Sequence, residues 1–546
     1  MSLLPRLSRR RFLQSTALAG TAVAAGTTRV QAATVPLPFL HGVASGDPLP
    51  TSVVLWTRIT PDADALPGSG LGAATRVRWE VGIDAAFHHV VSSGEVRTDA
   101  ASDHTIHVDP FDLEPDMVYF YRFTVLDGPH AGSQSPTGRT RTAPAFDSSP
   151  EQLTAAVASC ANWESGYFSA YADMATRGRA GELDLVVFLG DYIYEYGRGE
   201  YVGKNGAVRP HEPAHEIITL QDYRIRHGHY RTDPDLQAAH AALPWVLIWD
   251  DHETADNSWR EGAENHDPAT EGAWLSRRDA ALQAYLEWLP VRTASPSAGG
   301  HLYRSFRFGD LAELMMLDLR SYRDQPAAWS PTALADFNDP ARTMMGSEQF
   351  EWLRRTIDTS PAHWTVIGSS VMFSPTNLLP LQQNPQTSSV AEFLGARTAA
   401  GIPMNPDQWD GFAADRGRLL ELLRVSGRPA LFLTGDIHSE WAHDVWAGDQ
   451  LIGVELVCTS ISAPNVDEIL KLPADNAISH LAEALVREVN PHIRHVDLDA
   501  HGYSIARLRR DGVEMRWLRT VDVVVPGTGV ETAIGLAWQP GRGFGI

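Results

Sequence analysis

The sequence predicts a layered α/β domain preceded by an all-β sandwich of immunoglobulin or fibronectin III type. Three observations carry this reading. From about residue 38 to 145, short runs alternate apolar and polar side chains, as half-buried strands do. After about residue 152 the apolar runs become continuous, four to seven residues long, and end in polar loops. Such runs fit strands buried on both faces. Helix-length segments lie between them, which is the alternation of a layered α/β architecture.

Taken in order, residues 1–33 read as an export signal. Ser8-Arg9-Arg10-Arg11-Phe12-Leu13-Gln14 precedes the weakly apolar run Thr16 to Gly26, and Val30-Gln31-Ala32 offers small residues for cleavage. Paired arginines before Phe-Leu point to the twin-arginine export machinery, a mature start near Ala33 and a periplasmic or extracellular location. The apolar run is too short and too rich in Ala, Gly and Thr for a permanent span, so no transmembrane anchor is expected in the mature form.

Residues 38–145 form the expected sandwich. Val53-Val54-Leu55-Trp56, Val77-Arg78-Trp79-Glu80-Val81, Thr105-Ile106-His107-Val108 and Val118 to Val125 are its strands, separated by turn-rich stretches such as Pro61 to Gly72. Arg139 to Pro150 is a polar connector. The second domain spans 152–530. Its apolar runs are Leu153–Cys160, Leu183–Asp191, Trp245–His252, Leu314–Asp318, Trp364–Gly368 and Ala430–Asp436. Helices are expected at Phe168 to Thr176, Leu275 to Trp288, Glu348 to Asp358 and Arg416 to Val425. From Gly502 to about Val525 the alternation of strands returns.

Of the 546 residues, 43% are apolar and 21% charged, as in a globular protein of two or three domains. The formal net charge of −22 excludes a non-specific nucleic-acid binder, which needs a basic stripe. It does not exclude an anionic substrate, because bound cations reverse the local potential. With only Cys160 and Cys458, no disulfide framework holds the fold. Cys458 reads as structural.

Ligands in open α/β folds sit at the carboxyl ends of strands. Four apolar runs here end in metal-ligand residue types: Cys160; Asp191 with Tyr194 close behind; Asp250-Asp251-His252; and Asp436 with His438. One Asp after a strand is usually a cap or turn residue. Four such endings in one domain point to a metal site. Hard divalent cations prefer carboxylates, and a more acidic transition metal accepts thiolate, phenolate and imidazole as well. Two metals can share a bridging carboxylate, for which Asp191 is the candidate. Asp436-Ile437-His438 sets two ligand types on one loop, able to point the same way. Tyr194 lies between Tyr192 and Tyr196 and fits packing or a substrate wall equally well. Arg320 and Arg323 suit either a phosphate clamp or ion pairs with carboxylates. His211, His215, His227 and His229 read as loop surface.

Gly190-Asp191, Asp250-Asp251-His252-Glu253 and Gly435-Asp436-Ile437-His438 resemble the dispersed motifs of calcineurin-like metallophosphoesterases. The longer strings Val157–Cys160, Phe188–Gly197, Trp249–Glu253 with Asn257, and Leu433–His438 are closer to the PhoD-like branch. So are Gly42–Pro48 and Val54–Arg58. The resemblance implies a secreted hydrolase of phosphate monoesters, diesters or both, acting through a metal-bound hydroxide. It implies ferric iron (Fe3+) on Cys160, Asp191 and Tyr194, with His438 as a further ligand. Asp191 then bridges to calcium (Ca2+), for which Asp251, Asn257 and Asp436 are candidates. His252 would protonate the leaving oxygen or bind phosphate. The alternative within hydrolases is a phospholipase D-like diesterase. A redox iron enzyme is disfavoured, because no two-His-one-carboxylate triad stands apart from these motifs.

Overall fold

The structure, a computed structural model, describes residues 37–294, 299–326, 337–394, 397–399 and 402–545. The expected export signal lies outside the described residues.

Strands are numbered in chain order. The larger sheet has ten, in the order β23 (Gly543–Phe544), β22 (Val530–Gln539), β21 (Gly512–Thr520), β20 (Gly502–Arg509), β8 (Gln152–Ala158), β9 (Leu185–Leu189), β10 (Pro244–Ile248), β1 (Val43–Leu49), β2 (Ser52–Arg58) and β5 (Thr105–Val108). The second has seven: β11 (Arg304–Phe308), β12 (Ala312–Met316), β13 (Trp364–Ser369), β16 (Ala430–Thr434), β18 (Gln450–Val457), β17 (Glu440–Ala447) and β19 (Ile493–Asp497). A four-stranded sheet orders β4 (Val90–Thr98), β3 (Thr75–Gly82), β6 (Val118–Val125) and β7 (Gly138–Arg141), and β14 (Arg397–Ala399) pairs with β15 (Ile402–Met404).

The two large sheets pack face to face. Val157, Val187, Leu189 and Val246 of the first share one core with Phe306, Leu314, Val366 and Leu433 of the second. They touch at Gly368, where an added Cβ would lie 3.5 Å from Leu189 Cδ2 of the first sheet and 2.4 Å from Met316 Sδ of its own. Helices cover the outer faces. Ser169–Arg179, Pro234–Ala242 and Trp274–Trp288 bury residues in the first core, and Gly346–Thr359 and Ala413–Ser426 in a second. Burial on both faces explains why the strand sequences show no alternation.

The N-terminal strands differ from the expected separate sandwich. β1 runs parallel to β10, with Ser45 opposite Pro244, so β1, β2 and β5 extend the large sheet. The small sheet packs over that extension through Val43, Leu55, Val77, Tyr121 and Phe123. Two layers are present, but one is continuous with the α/β unit. Strand alternation cannot reveal this, because pairing partners so far apart in sequence leave no local trace.

The histidine-rich stretch also differs. Thr219 caps a helix, Leu220–Tyr230, through a reciprocal capping box with Asp222. His227 and His229 lie on that helix. His211 and His227 are buried, and only His215 is an exposed loop residue of the four.

Candidate metal centre

β8, β9 and β10 are adjacent parallel strands, so their carboxyl ends lie side by side. Cys160 follows the first, Asp191 the second, and Asp250-Asp251-His252 the third. The loops are stitched together: Cys160 N donates to Gly190 O at 3.1 Å and Ala161 N to Asp191 O at 2.9 Å. β16 of the facing sheet ends beside them and brings Asp436 and His438. Gly435 is the contact point, since a Cβ there would lie 2.7 Å from Ser159 Oγ.

The backbone is held in an unusual way at these ends. Thirteen non-glycine residues among those described have positive φ, and Cys160 (61°), Asp191 (58°), Asn257 (54°), Asp436 (69°) and His438 (52°) are five of them. Such conformations cost energy for a residue with a Cβ and persist where surroundings over-determine them. Gly190 has φ 101°, and a Cβ there would lie 2.4 Å from Asp250 Cβ. Only glycine lets the Asp191 and Asp250 loops approach this closely.

Three groups of ligand atoms, each within 4.8 Å of one another, share Asp191: Cys160, Asp191 and His438; Asp191, Asp251 and His252; and Asp191, Asp250, Asp251 and Asp436. His438 falls in the group with Cys160, and Asp436 in the one with Asp250 and Asp251, both sharing Asp191. Tyr194 joins the first group: its hydroxyl donates to Asp191 Oδ2 at 3.1 Å and lies 3.1 Å from His438 Nε2. It is also packing, stacked at 5.5 Å on Tyr201. Asn257 meets the second side through its backbone, donating to Asp251 Oδ2 at 2.7 Å, while its amide donates to Glu264 at 2.9 Å.

Arg320 and Arg323 are both in ion pairs. Arg320 grips Asp250 with two bonds, Nε to Oδ1 at 2.5 Å and Nη2 to Oδ2 at 2.9 Å, and reaches Asp407 Oδ1 at 3.1 Å. Arg323 also binds Asp407. Arg320 lies 3.5 Å from Asp251 and 3.7 Å from Asp436, so it borders the cluster while neutralising Asp250.

Three supporting residues escaped the sequence reading. Glu253 is buried and accepts backbone N–H bonds from Tyr192 (2.6 Å), Asp191 (3.1 Å) and Asp250 (2.8 Å), clamping two ligand loops. Glu195 accepts from His252 Nδ1 at 2.7 Å and from Asp256 N at 2.8 Å. Gln408 donates to Asp436 Oδ2 and accepts from Met372 N. Glu253 sits inside a quoted motif, but no local pattern marks which backbone groups it serves.

The electrostatics of the cluster suit a cation. Burial pushes the Cys160 thiol and the Tyr194 phenol well above their usual ranges, and repulsion from Asp191 adds to both. Burial also raises Asp191, against the attraction of His252. His252 is itself held above its ordinary value, because Glu195, Asp251 and Asp191 outweigh its burial. Asp191 Oδ1 is buried with no hydrogen-bond partner among the described residues. A thiol, a phenol, imidazoles and several carboxylates gathered out of water suit metal ions, whose charge inverts this balance.

Paired sheets that gather metal-ligand side chains at strand ends define the metallophosphoesterase fold. A purple acid phosphatase from yellow lupin (Lupinus luteus) seeds has it too, with a TM-score of 0.52 over 93% of this chain and 75% of that one. At 9% identity the likeness concerns the fold alone. More particularly, the chain belongs to the PhoD-like phosphatase family and is a phosphoesterase: the family pattern "PhoD-like phosphatase" matches residues 155–517, and that of its N-terminal domain residues 22–144. Alkaline phosphatase D of Bacillus subtilis (strain 168) is 37% identical over 513 residues, covering 92% of this chain and 81% of the relative. A solved structure of PhoD superposes with a TM-score of 0.80 at 36% identity, over 93% of this chain and 92% of the other.

Proposed function

We propose that the protein is an exported, metal-dependent phosphoesterase that hydrolyses phosphate monoesters, diesters or both. The observation that carries this reading is the sharing of Asp191 among three groups of ligand atoms, which suits a carboxylate bridging two cations. Cys160, Asp191, Tyr194 and His438 would hold ferric iron, because thiolate and phenolate favour the oxidised ion. Asp251, Asp436 and Asn257 would serve calcium on the far side of Asp191. When bound, the ions supply Lewis acidity and an acidified solvent nucleophile.

The chain's own groups do the rest. His252, oriented through Nδ1 by Glu195, keeps Nε2 for the leaving oxygen or a phosphoryl oxygen. Arg320 neutralises Asp250, and it reaches the substrate only by releasing part of that grip. Arg323 supports it through Asp407. Residues 38–145 act as a supporting domain and 152–530 as the catalytic one. The first 33 residues direct twin-arginine export to the periplasm or beyond. Among the described residues, no helix is long and apolar enough to cross a membrane.

The test is turnover of p-nitrophenyl phosphate and its bis-ester, with and without chelator, alongside metal analysis. Metal-independent turnover overturns the reading. Release of head groups from phospholipid, with neither ester cleaved, favours the phospholipase D-like alternative instead.

A further inference from the structure

The segment from Thr459 to Val466 runs behind one half of the candidate metal centre and touches it at three points. Ser462 N and Ala463 N donate to Cys160 O at 3.3 and 3.1 Å. Pro464 O lies 2.8 Å from His438 Nδ1. A carbonyl can only accept, so Nδ1 carries a proton here, and the ring is turned with Nε2 toward the Tyr194 hydroxyl, 3.1 Å away. The position of Pro464 O therefore fixes the ring orientation of His438.

A buried chain of three side chains holds this segment. Ser460 Oγ donates to Ala463 O at 2.7 Å and lies 3.0 Å from His501 Nδ1, while His501 Nε2 lies 3.1 Å from Glu468 Oε2. A hydroxyl has one proton. Ser460 gives it to Ala463 O, so His501 Nδ1 is the donor on the other side. Glu468 as a carboxylate only accepts, so Nε2 donates too. His501 is then an imidazolium paired with Glu468. Burial opposes its charge, and Glu468 outweighs that and lifts it above its ordinary value. The backbone agrees with this chain, since Gly502 N donates to Ser460 O at 2.9 Å.

We infer that His501, backed by Glu468, is a positioning residue for the Cys160 and His438 half of the metal centre, acting through the Ser460 turn. This rests on reading Cys160, Asp191, Tyr194 and His438 as ligands. Asp251 and Asp436 take hydrogen bonds from Asn257 N and Gln408, which lie outside the Ser460 turn. Groups that orient a metal-bound histidine typically change metal affinity by about ten- to a hundredfold when removed.

The test uses purified full-length wild type, His501→Ala, Ser460→Ala and Glu468→Gln. Iron and calcium content are measured, with the rate at which a chelator withdraws each. In His501→Ala and Ser460→Ala, iron should leave about tenfold faster or more, with calcium within about twofold of wild type. Glu468→Gln keeps an acceptor for Nε2 and should fall between. Should His501→Ala fail to fold, Ser460→Ala alone carries the comparison. Unchanged iron release in the folded variants overturns the inference and spares the ligand reading, and so does equal loss of both metals. A wild type that holds no iron overturns both.

Discussion

Glu253 gives the sharpest test of how the site is held. It accepts three buried backbone N–H bonds, from Tyr192 on one oxygen and from Asp191 and Asp250 on the other. An orphaned buried donor costs about 1–3 kcal/mol. Glu253→Ala strands all three donors, for roughly 3–9 kcal/mol before any cavity cost. Glu253→Gln can turn its amide oxygen toward the two-donor side and strand only Tyr192 N, for about 1–3 kcal/mol. The two variants should therefore be graded, with Gln the milder. In a chain this long each kcal/mol moves the melting midpoint by roughly 2 °C or less. The midpoint should fall by a few degrees in Gln and at least twice as far in Ala. Burial raises Glu253 to about 7, so the melts belong above that pH. Metal content should fall in the same order, because the clamp holds the loops of Asp191 and Asp250. Equal melting of the two variants, or both matching wild type, would refute the clamp.

Asp191→Asn should lower the content of both metals, whereas Tyr194→Phe should lose iron and any visible phenolate absorption; an unchanged spectrum and iron content would leave Tyr194 as packing only. Replacing Arg9 and Arg10 together by Lys should stop export, read by fractionation, and normal secretion would dismiss the twin-arginine reading. Acid stability should depend on Glu455. Burial opposes its charge, but His443 at 2.9 Å and the N–H groups of Phe373 and Ser374 hold it at about 2. A carboxyl lowered on folding contributes stability above its unfolded value of about 4.5, which is lost as pH falls toward about 2. That contribution is about 3 kcal/mol, so Glu455→Gln should melt lower at neutral pH and show a flatter decline between pH 4.5 and 2. Parallel pH profiles for the two proteins would rule it out.

Ligand candidates were legible because of where metal chemistry must sit. A strand buried on both faces is a continuous apolar run, and its last residue is where the chain first reaches a polar cavity. Cys160, Asp191, Asp251 and Asp436 all stand at such points, so a local pattern finds them. What holds those ligands has no such mark. Apart from the bond from Asp250 N, Glu253 and Glu195 act on neighbours 57 to 62 residues away, and Gln408 reaches Asp436 across 28. A buried acid serving backbone N–H groups looks in sequence like any surface acid. The same reason hid the helix Leu220–Tyr230, whose buried face carries Arg226 and His227 in place of leucines. Arg226 is buried because it donates to carbonyls of Tyr194, Tyr196, Glu212 and Pro213, all in the loop behind Asp191. A polar face that packs on carbonyls gives no hydrophobic period to read. Around this site, burial follows hydrogen-bond satisfaction as much as apolarity. A sequence therefore reports the donor atoms of such a centre before it reports the frame that aims them.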